Sequence, residues 1–367
     1  MKIRKSVPQD LARIMDIYAY ARFFMAQHGN PKQWGATNWP PEALIRQDIA
    51  EGSSYVCTND TGRIIGTFFY TCGPDIEPTY REITEGAWLD DSPYGVVHRI
   101  ASDGSEKGVG MFCLDWAYAQ CGHLRIDTHG DNAVMQTLLK KAGFIRCGTI
   151  YVVEDHDPRL AYEKTDQTEG YTDIRTHYDL LIAENNDPFR DPPALRKYME
   201  LWDGQAFLDL MEPDRSKTVL EIGVGTGRLA VKTAGHCRHL TGIDLSAKTI
   251  ERAGENLRDC PNITLICGDF ISYPFTETFD VIYSSLTMMH FKDKRRVIGK
   301  VSALLNQNGL FCLSIDKNQS ERIDTGSRKI RIYPDTLEKI TALAEEAGLK
   351  TKKTAETENA YLMAFMK

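Results

Sequence analysis

The spacing of apolar residues divides the chain into two stretches of different rhythm. In the first, residues 1–5 read as a short strand. Pro8, Gln9 and Asp10 open a helix whose apolar positions, Leu11, Ile14, Ile17, Tyr18 and Ala21, recur at helical spacing. Pro40-Pro41 starts a second short helix through Ile45 and Ile49. Residues 53–58 and 63–70 alternate as a hairpin across Asn59-Asp60-Thr61-Gly62. Residues 75–93 are a loop punctuated by Pro and Asp. A strand at Val96–Ser102, a helix from Gly108-Val109-Gly110 to about Gln120, and a strand at Leu124–Thr128 come next. A helix at Asn132–Ala142 is closed by Gly143, a residue suited to a left-handed C-cap. Strands at 145–153 and 159–163 end this stretch.

Residues 164–170 are polar and lack an apolar anchor, which marks a boundary. The expected domains are 1–165 and 171–367, with a linker at 166–170. Helical stretches at 172–184 and 194–211 lead into a regular alternation: strand 217–222, helix 226–235, strand 239–243, helix 246–257, strands 263–267 and 279–284, helix 293–305, strand 308–315. Such alternation predicts a parallel sheet with crossover helices. A helix at 334–347 and a strand near 359–366 finish the chain.

At 367 residues the chain exceeds what one core usually supports, and 42% apolar with 26% charged residues lets each part bury its own. The formal net charge is −7 and neither half is basic, so broad capture of nucleic acid or of a membrane surface is not expected. The nine cysteines are scattered, odd in number and without a C-x-x-C pair. That argues against a disulfide framework or a cysteine-rich metal site, and no metal is expected. The N-terminus shows no apolar signal segment, and no apolar run approaches about eighteen residues. A cytoplasmic location is the expectation.

The densest chemical signal is Val-Leu-Glu-Ile-Gly-Val-Gly-Thr-Gly at 219–227. A strand breaks there into three glycines at every second position, which lets backbone approach a nucleotide-like ligand. The next strands end in Asp244-Leu245-Ser246, in Asp269-Phe270, and in Ser284-Ser285-Leu286-Thr287-Met288-Met289-His290. All are carboxyl ends of consecutive strands, where open α/β sheets bind ligands. The dinucleotide fingerprint G-x-G-x-x-G does not fit, because Arg228 stands where its third glycine belongs. With these motifs in register, roughly residues 170–367 resemble the class I S-adenosylmethionine-dependent methyltransferases. The resemblance implies that Glu221, Gly223, Gly225 and Gly227 hold the methionine end of S-adenosylmethionine. It implies Asp244, with Leu245, at the ribose, Asp269 and Phe270 at the adenine, and Ser285 among the cofactor contacts. His290 is a candidate base near neutral pH, or a hydrogen-bonded structural group. Tyr178 is a candidate lid over the site, or core packing. The N-P-P-Y signature of amide and adenine methylation is absent at 284–287, which by family analogy points to a small-molecule acceptor.

In the first stretch, the strand Val96–Ser102 runs into Asp103-Gly104-Ser105-Glu106-Lys107-Gly108-Val109-Gly110 and a helix. Successive backbone N–H groups at such a turn form a nest for pyrophosphate. With the later Asn132 helix and Ala142-Gly143-Phe144, residues 1–163 resemble the GNAT acetyltransferases. Ser105 departs from that family's Gln or Arg at the head of the loop. The resemblance implies that the 96–102 strand, through Ile100 and Ser102, pairs with the pantetheine of acetyl-CoA after splaying from strand 124–128. It places Lys107, Gly108, Val109 and Gly110 at the pyrophosphate and Asn132 at pantetheine. His98 and Glu85 are candidate bases and Tyr151 a candidate acid, each against a structural reading. Trp34, Trp39 and Trp88 either line a substrate slot or fold onto the core.

The expected fold class is therefore α/β: an N-terminal GNAT-like mixed α+β sheet with a splayed central strand pair, and a C-terminal Rossmann-like, doubly wound, seven-stranded methyltransferase sheet. The first functional reading is a bifunctional transferase of small molecules, methylating one and acetylating an amine. The second is a single-activity methyltransferase whose N-terminal half is an acyl-CoA sensor or a dimerisation module, the latter giving a homodimer. The third is a non-enzymatic S-adenosylmethionine sensor.

Overall fold

The computed structural model describes every residue except Ala36, Glu154, Gln167, Glu169 and Gly170. Three of these belong to the expected linker, which to that extent lies outside the described residues. Two units emerge: Met1–Ile83 with Ala87–Tyr171, and Thr172–Lys367 with Thr84–Gly86. Each contains a seven-stranded mixed sheet, and the α/β class read from the sequence holds. No helix among the described residues is long and apolar enough to cross a membrane.

The first unit runs β1 (Lys2–Lys5), α1 (Leu11–Gln27), α2 (Glu42–Ala50), β2 (Ser54–Thr58), β3 (Ile64–Gly73), β4 (Tyr94–Ser102), α3 (Val109–Cys121), β5 (Leu124–His129), α4 (Ala133–Lys141), β6 (Ile145–Tyr151) and β7 (Pro158–Lys164). The strand order is β1-β2-β3-β4-β5-β7-β6. Apolar residues of α1 and α2 cover one face through Ile14, Ile17 and Ile45 against Val56. Those of α3 and α4 cover the other, with Cys113, Leu114 and Leu139 against Phe68 and Val97. Full burial of such a side chain contributes about 1.5–3 kcal/mol. The central pair β4 and β5 is parallel but bonded only at Gly95↔Leu124 and Val96↔Arg125. Beyond that point the two strands separate, as the resemblance implied. Next to the split, β4 carries a bulge: Thr67 faces Ala101 and Phe69 faces His98, so the strand gains a residue between them. Arg99 takes φ 54° at the bulge and is held by its ion pair to Asp48 at 2.7 Å.

The second unit runs α5 (Ile174–Ala183), α6 (Pro193–Met199), α7 (Gly204–Leu210), β8 (Thr218–Ile222), α8 (Ala230–Ala234), β9 (His239–Asp244), α9 (Ala247–Asn256), β10 (Ile263–Cys267), β11 (Phe279–Ser284), α10 (Lys294–Leu304), β12 (Leu305–Asp316), β13 (Arg322–Asp324), β14 (Lys329–Arg331), α11 (Leu337–Glu346), β15 (Lys350–Glu356) and β16 (Ala360–Met366). The sheet order is β10-β9-β8-β11-β12-β16-β15, with a separate β13-β14 ribbon. Alternate strand residues enter two cores. Leu220, Ile222, Ile282 and Phe311 meet α10 and α11 on one face. Val219, Leu240, Val281 and Cys312 meet α7, α8 and α9 on the other, which makes the sheet doubly wound.

Three expectations need correction. The helix expected at 194–211 is two, because Asp203 turns its carboxylate onto the N–H of Gly204 at 2.6 Å and caps a new start. The helix expected at 226–235 is only α8, so the glycine turn extends through Leu229 and the helix does not start beside it. The strand β15 and the β13-β14 ribbon were not foreseen.

Candidate functional site

In the second unit, β10, β9, β8 and β11 are adjacent and parallel, with Cys267 beside Asp244, Ile243 beside Ile222, and Glu221 beside Tyr283. Their carboxyl ends therefore line one edge. From the middle of that edge springs the glycine turn, whose glycines take φ 76°, 55° and 93°. A Cβ added at Gly223 would lie 2.2 Å from Thr287 Oγ1, whereas one at Gly225 would meet nothing within 4 Å. The turn is thus pressed onto the β11 tip at one end and has an open face at its centre. Asp244 braces it: Oδ2 accepts from Gly225 N and Oδ1 from Ser246 N, both at 3.0 Å. Burial raises the Asp244 carboxyl against those bonds. With the N–H of Leu245 also bonded to the carboxylate, about one lone-pair site stays available for a further donor.

Not every predicted contact faces the same way. Glu221 is buried beneath the turn, where its Oε2 accepts from Tyr283 Oη at 2.7 Å. Burial pushes its carboxyl up to about 8 despite that bond. Its expected place at the methionine end is corrected: it supports the sheet on the side of α7 and α8. Phe270 is also corrected. It lies 3% exposed in the core near Phe275 and Phe291, so its ring has no free face for an adenine. Asp269 accepts from Ser272 N at 3.0 Å and stays at the β10 tip. Leu245 follows Asp244 at the β9 tip and is half-buried. Ser285 donates to Asp203 Oδ2 at 2.9 Å. Asp203, fully buried, pairs with Arg228, whose Nη1 lies 3.0 Å from Oδ1. Sequence reading missed that pair, although Arg228 in the place of a glycine was its visible sign.

Helix α5 is tied to two of these tips. Asp179 accepts from Ser246 Oγ at 2.7 Å, and Tyr178 Oη lies 2.8 Å from His290 Nε2. Burial keeps the phenol protonated well above its ordinary value, so the bond joins a phenol and an imidazole nitrogen. The other ring nitrogen, Nδ1, is buried and has no partner among the described residues. Burial, with the nearby charge of Lys294, lowers the imidazole to about 3. His290 is thus a buried group with Tyr178 of α5 as its hydrogen-bond partner. The other face of α5 is clamped by Arg328, which donates to His177 Nδ1 at 2.9 Å and grips Glu184 at 2.6 and 2.8 Å.

In the first unit the split between β4 and β5 opens into a cavity of about 950 Å³. Of the residues expected at acetyl-CoA, Ile100, Ser102, Gly108, Gly110 and Asn132 line it, whereas Lys107 and Val109 do not. Val109 turns into the core, 2% exposed. The turn before α3 is held by Asp103, which pairs with Arg13 and with Arg63 and accepts from Ser105 N at 3.0 Å. Asn132 caps α4 through Met135 N and donates to Gln33 at 3.1 Å. The bulge upsets alternation, so His98 and Arg99 both face the cavity. His98 Nε2 lies 2.8 Å from Glu77 Oε2, and Asp127 Oδ1, which accepts from Tyr80, lies 3.9 Å from Nδ1. Burial would raise Glu77, but the bonds and charge of His98 outweigh it, so the carboxyl sits below its ordinary value. Glu77 was missed because it lies in an irregular loop, and Glu85, the expected candidate, does not line the cavity. Tyr151 is corrected as well: it is 43% exposed at the end of β6 and outside the cavity wall. Trp34 and Trp39 line the slot, whereas Trp88 is buried and donates to Tyr80 O at 2.8 Å.

Residues 219–309 match the family model described as a methyltransferase domain. A curated relative, an uncharacterized methyltransferase of Anoxybacillus flavithermus, is 36% identical over 136 residues, which is 36% of this chain and 58% of that protein. The chain spans about half the length of the curated relatives it matches. Among solved structures, a GNAT-family acetyltransferase from Streptococcus agalactiae is 31% identical with TM-score 0.41, covering 45% of this chain and 95% of that one. The N-methyltransferase NodS from Bradyrhizobium japonicum, in complex with S-adenosyl-L-homocysteine, is 22% identical with TM-score 0.42, covering 53% and 97%.

Proposed function

We propose that the second unit is an S-adenosylmethionine-dependent methyltransferase of a small molecule, and that the first is an acetyl-CoA-dependent N-acetyltransferase of an amine. The chain would then be a bifunctional transferase. The methylation reading rests on one observation: four consecutive parallel strand tips share an edge with a glycine turn whose centre is open. S-adenosylmethionine, when bound, would supply an electrophilic methyl group on a sulfonium. Asp244 has about one lone-pair site left for a ribose hydroxyl, and the backbone at Gly225 has room for close approach. With His290 neutral and bonded to Tyr178, these residues work by orienting the acceptor and excluding water rather than by moving a proton. Isothermal titration with S-adenosylhomocysteine tests this. Asp244→Ala should weaken binding by about 1–3 kcal/mol, since ribose hydroxyls lose their acceptor; unchanged affinity breaks the assignment.

The acetylation reading rests on the cavity at the β4–β5 split, where backbone at Ile100 and Ser102, no longer bonded to β5, faces the same space as the start of α3. Acetyl-CoA, when bound, would supply an activated acyl carbonyl. The first N–H groups of α3 suit a pyrophosphate. A primary amine is deprotonated at pH 7 only at a cost of about 4–5 kcal/mol. His98 is placed to take that proton, with Glu77 and Asp127 stabilising the imidazolium. One observation favours the sensor or dimerisation reading: Ser105 is tied to Asp103, and Lys107 lies off the cavity wall, so this loop brings no cationic side chain to the pyrophosphate. Acetyl-CoA that binds without acetyl transfer to any of a panel of amines would decide for the sensor, and no binding at all for dimerisation.

A further inference from the structure

A second cavity, about 20 Å³, lies in the second unit between the tips of β11 and β12. It has room for one water-sized group. Thr287 forms part of its wall and also touches the glycine turn at Gly223, so the cavity adjoins the proposed cofactor site. Asp316, Asn318 and Asp335 supply its polar wall. The Asp335 side chain is 3% exposed, with Oδ2 lying 3.2 Å from Lys294 Nζ. Its Oδ1 is buried and has no hydrogen-bond partner among the described residues. Lys294 cannot satisfy it, because its ammonium already donates to Phe291 O at 2.6 Å and Tyr333 O at 2.9 Å, besides facing Oδ2. A buried carboxylate oxygen left unpaired is costly, so the fitting occupant is a hydrogen-bond donor. Asp316, Asn318 and Asp335 offer acceptors on the same wall, which suits a group with several N–H donors.

We propose that this cavity receives the amino group by which the methyl acceptor is held, with an N–H donated to Asp335 Oδ1, so that the acceptor is a small amine. An alcohol of the same shape brings one donor where an ammonium brings three, and a carboxylate would be repelled by Asp316 and Asp335. Calling the bound amine the methyl acceptor rests on the cofactor reading above; its binding to the cavity does not.

The test uses the full chain with and without S-adenosylhomocysteine. Its probes are n-propylammonium and benzylammonium, set against n-propanol, benzyl alcohol and propionate, and followed by ligand-observed NMR and titration calorimetry. The amines should bind more tightly than the alcohols, and propionate should not bind. Asp335→Asn should weaken the amines about tenfold or more and leave S-adenosylhomocysteine affinity unchanged. Because that change strands Lys294, the double variant Lys294→Met/Asp335→Leu replaces the ion pair by apolar side chains and should also lose the amines. Amines that bind no better than alcohols to the wild type overturn the proposal, as does amine affinity that survives in either variant melting like the wild type. Failure of S-adenosylhomocysteine to bind counts against the cofactor reading instead, while the amine titrations without it still decide the cavity.

Discussion

His290 stays neutral because a phenol occupies one ring nitrogen and burial disfavours charge on the other. Nitrogen NMR should therefore show a neutral ring across about pH 5–8, and the methylation rate should show no inflection from His290 there. An imidazolium signal near pH 6 would refute this. Glu221 carries the opposite sign of shift. Its carboxyl, raised to about 8, keeps a proton that the unfolded chain releases above the ordinary carboxylate value. Stability from this group is full below that value and is lost as pH rises through about 8. Thermal melts of Glu221→Gln should be flatter than wild type over that window. Gly223→Ala should cost about 1–2 kcal/mol for its left-handed backbone and about 1–3 more for overlap with Thr287, read as a drop in denaturant midpoint. Glycines of this kind are legible in a sequence because other residues adopt a left-handed backbone only at a cost. Asp203 with Arg228, or His98 with Glu77, is not legible, since each pair is made only when distant segments meet.

At the scale of elements, α5 depends on the Arg328 clamp. His177 accepts from Arg328, and burial with that guanidinium nearby lowers its pKa to about 4. The unfolded chain binds a proton here below its ordinary value near 6.5. The contribution of His177 is therefore full above about pH 6.5 and is lost as pH falls through about 4. Hydrogen exchange of Ile174–Ala183 should quicken over that fall and should be fast at neutral pH in Arg328→Ala; protection unchanged in both would show that α5 is held otherwise. The sheet strands were legible from their apolar runs, and α9 from its Ser246 cap. The break before α7 was not, because it is made by a side chain turning onto its own backbone at Asp203. Nor was β15, whose residues are exposed almost throughout and so carry no apolar alternation.

For the whole molecule, two alternation rhythms predicted two sheets, and the described residues form two seven-stranded sheets beside the short β13-β14 ribbon. Each unit has its own cores, so each ligand should stabilise the unit that holds it. At a hundredfold excess over its dissociation constant, either S-adenosylhomocysteine or acetyl-CoA should add about 2.7 kcal/mol to its own unit, visible by calorimetry as an upward shift of that transition. A ligand that shifts nothing is not bound. The rim of the second sheet carries a different consequence. Its outermost strand, β15, offers Lys350, Lys352 and Lys353 within seven residues, and its register slips between Thr351 and Lys353. A stranger's backbone seeking to zip onto that margin would meet a picket of ammonium groups and an interrupted ladder, so concentrated solutions should resist fibril growth from this side.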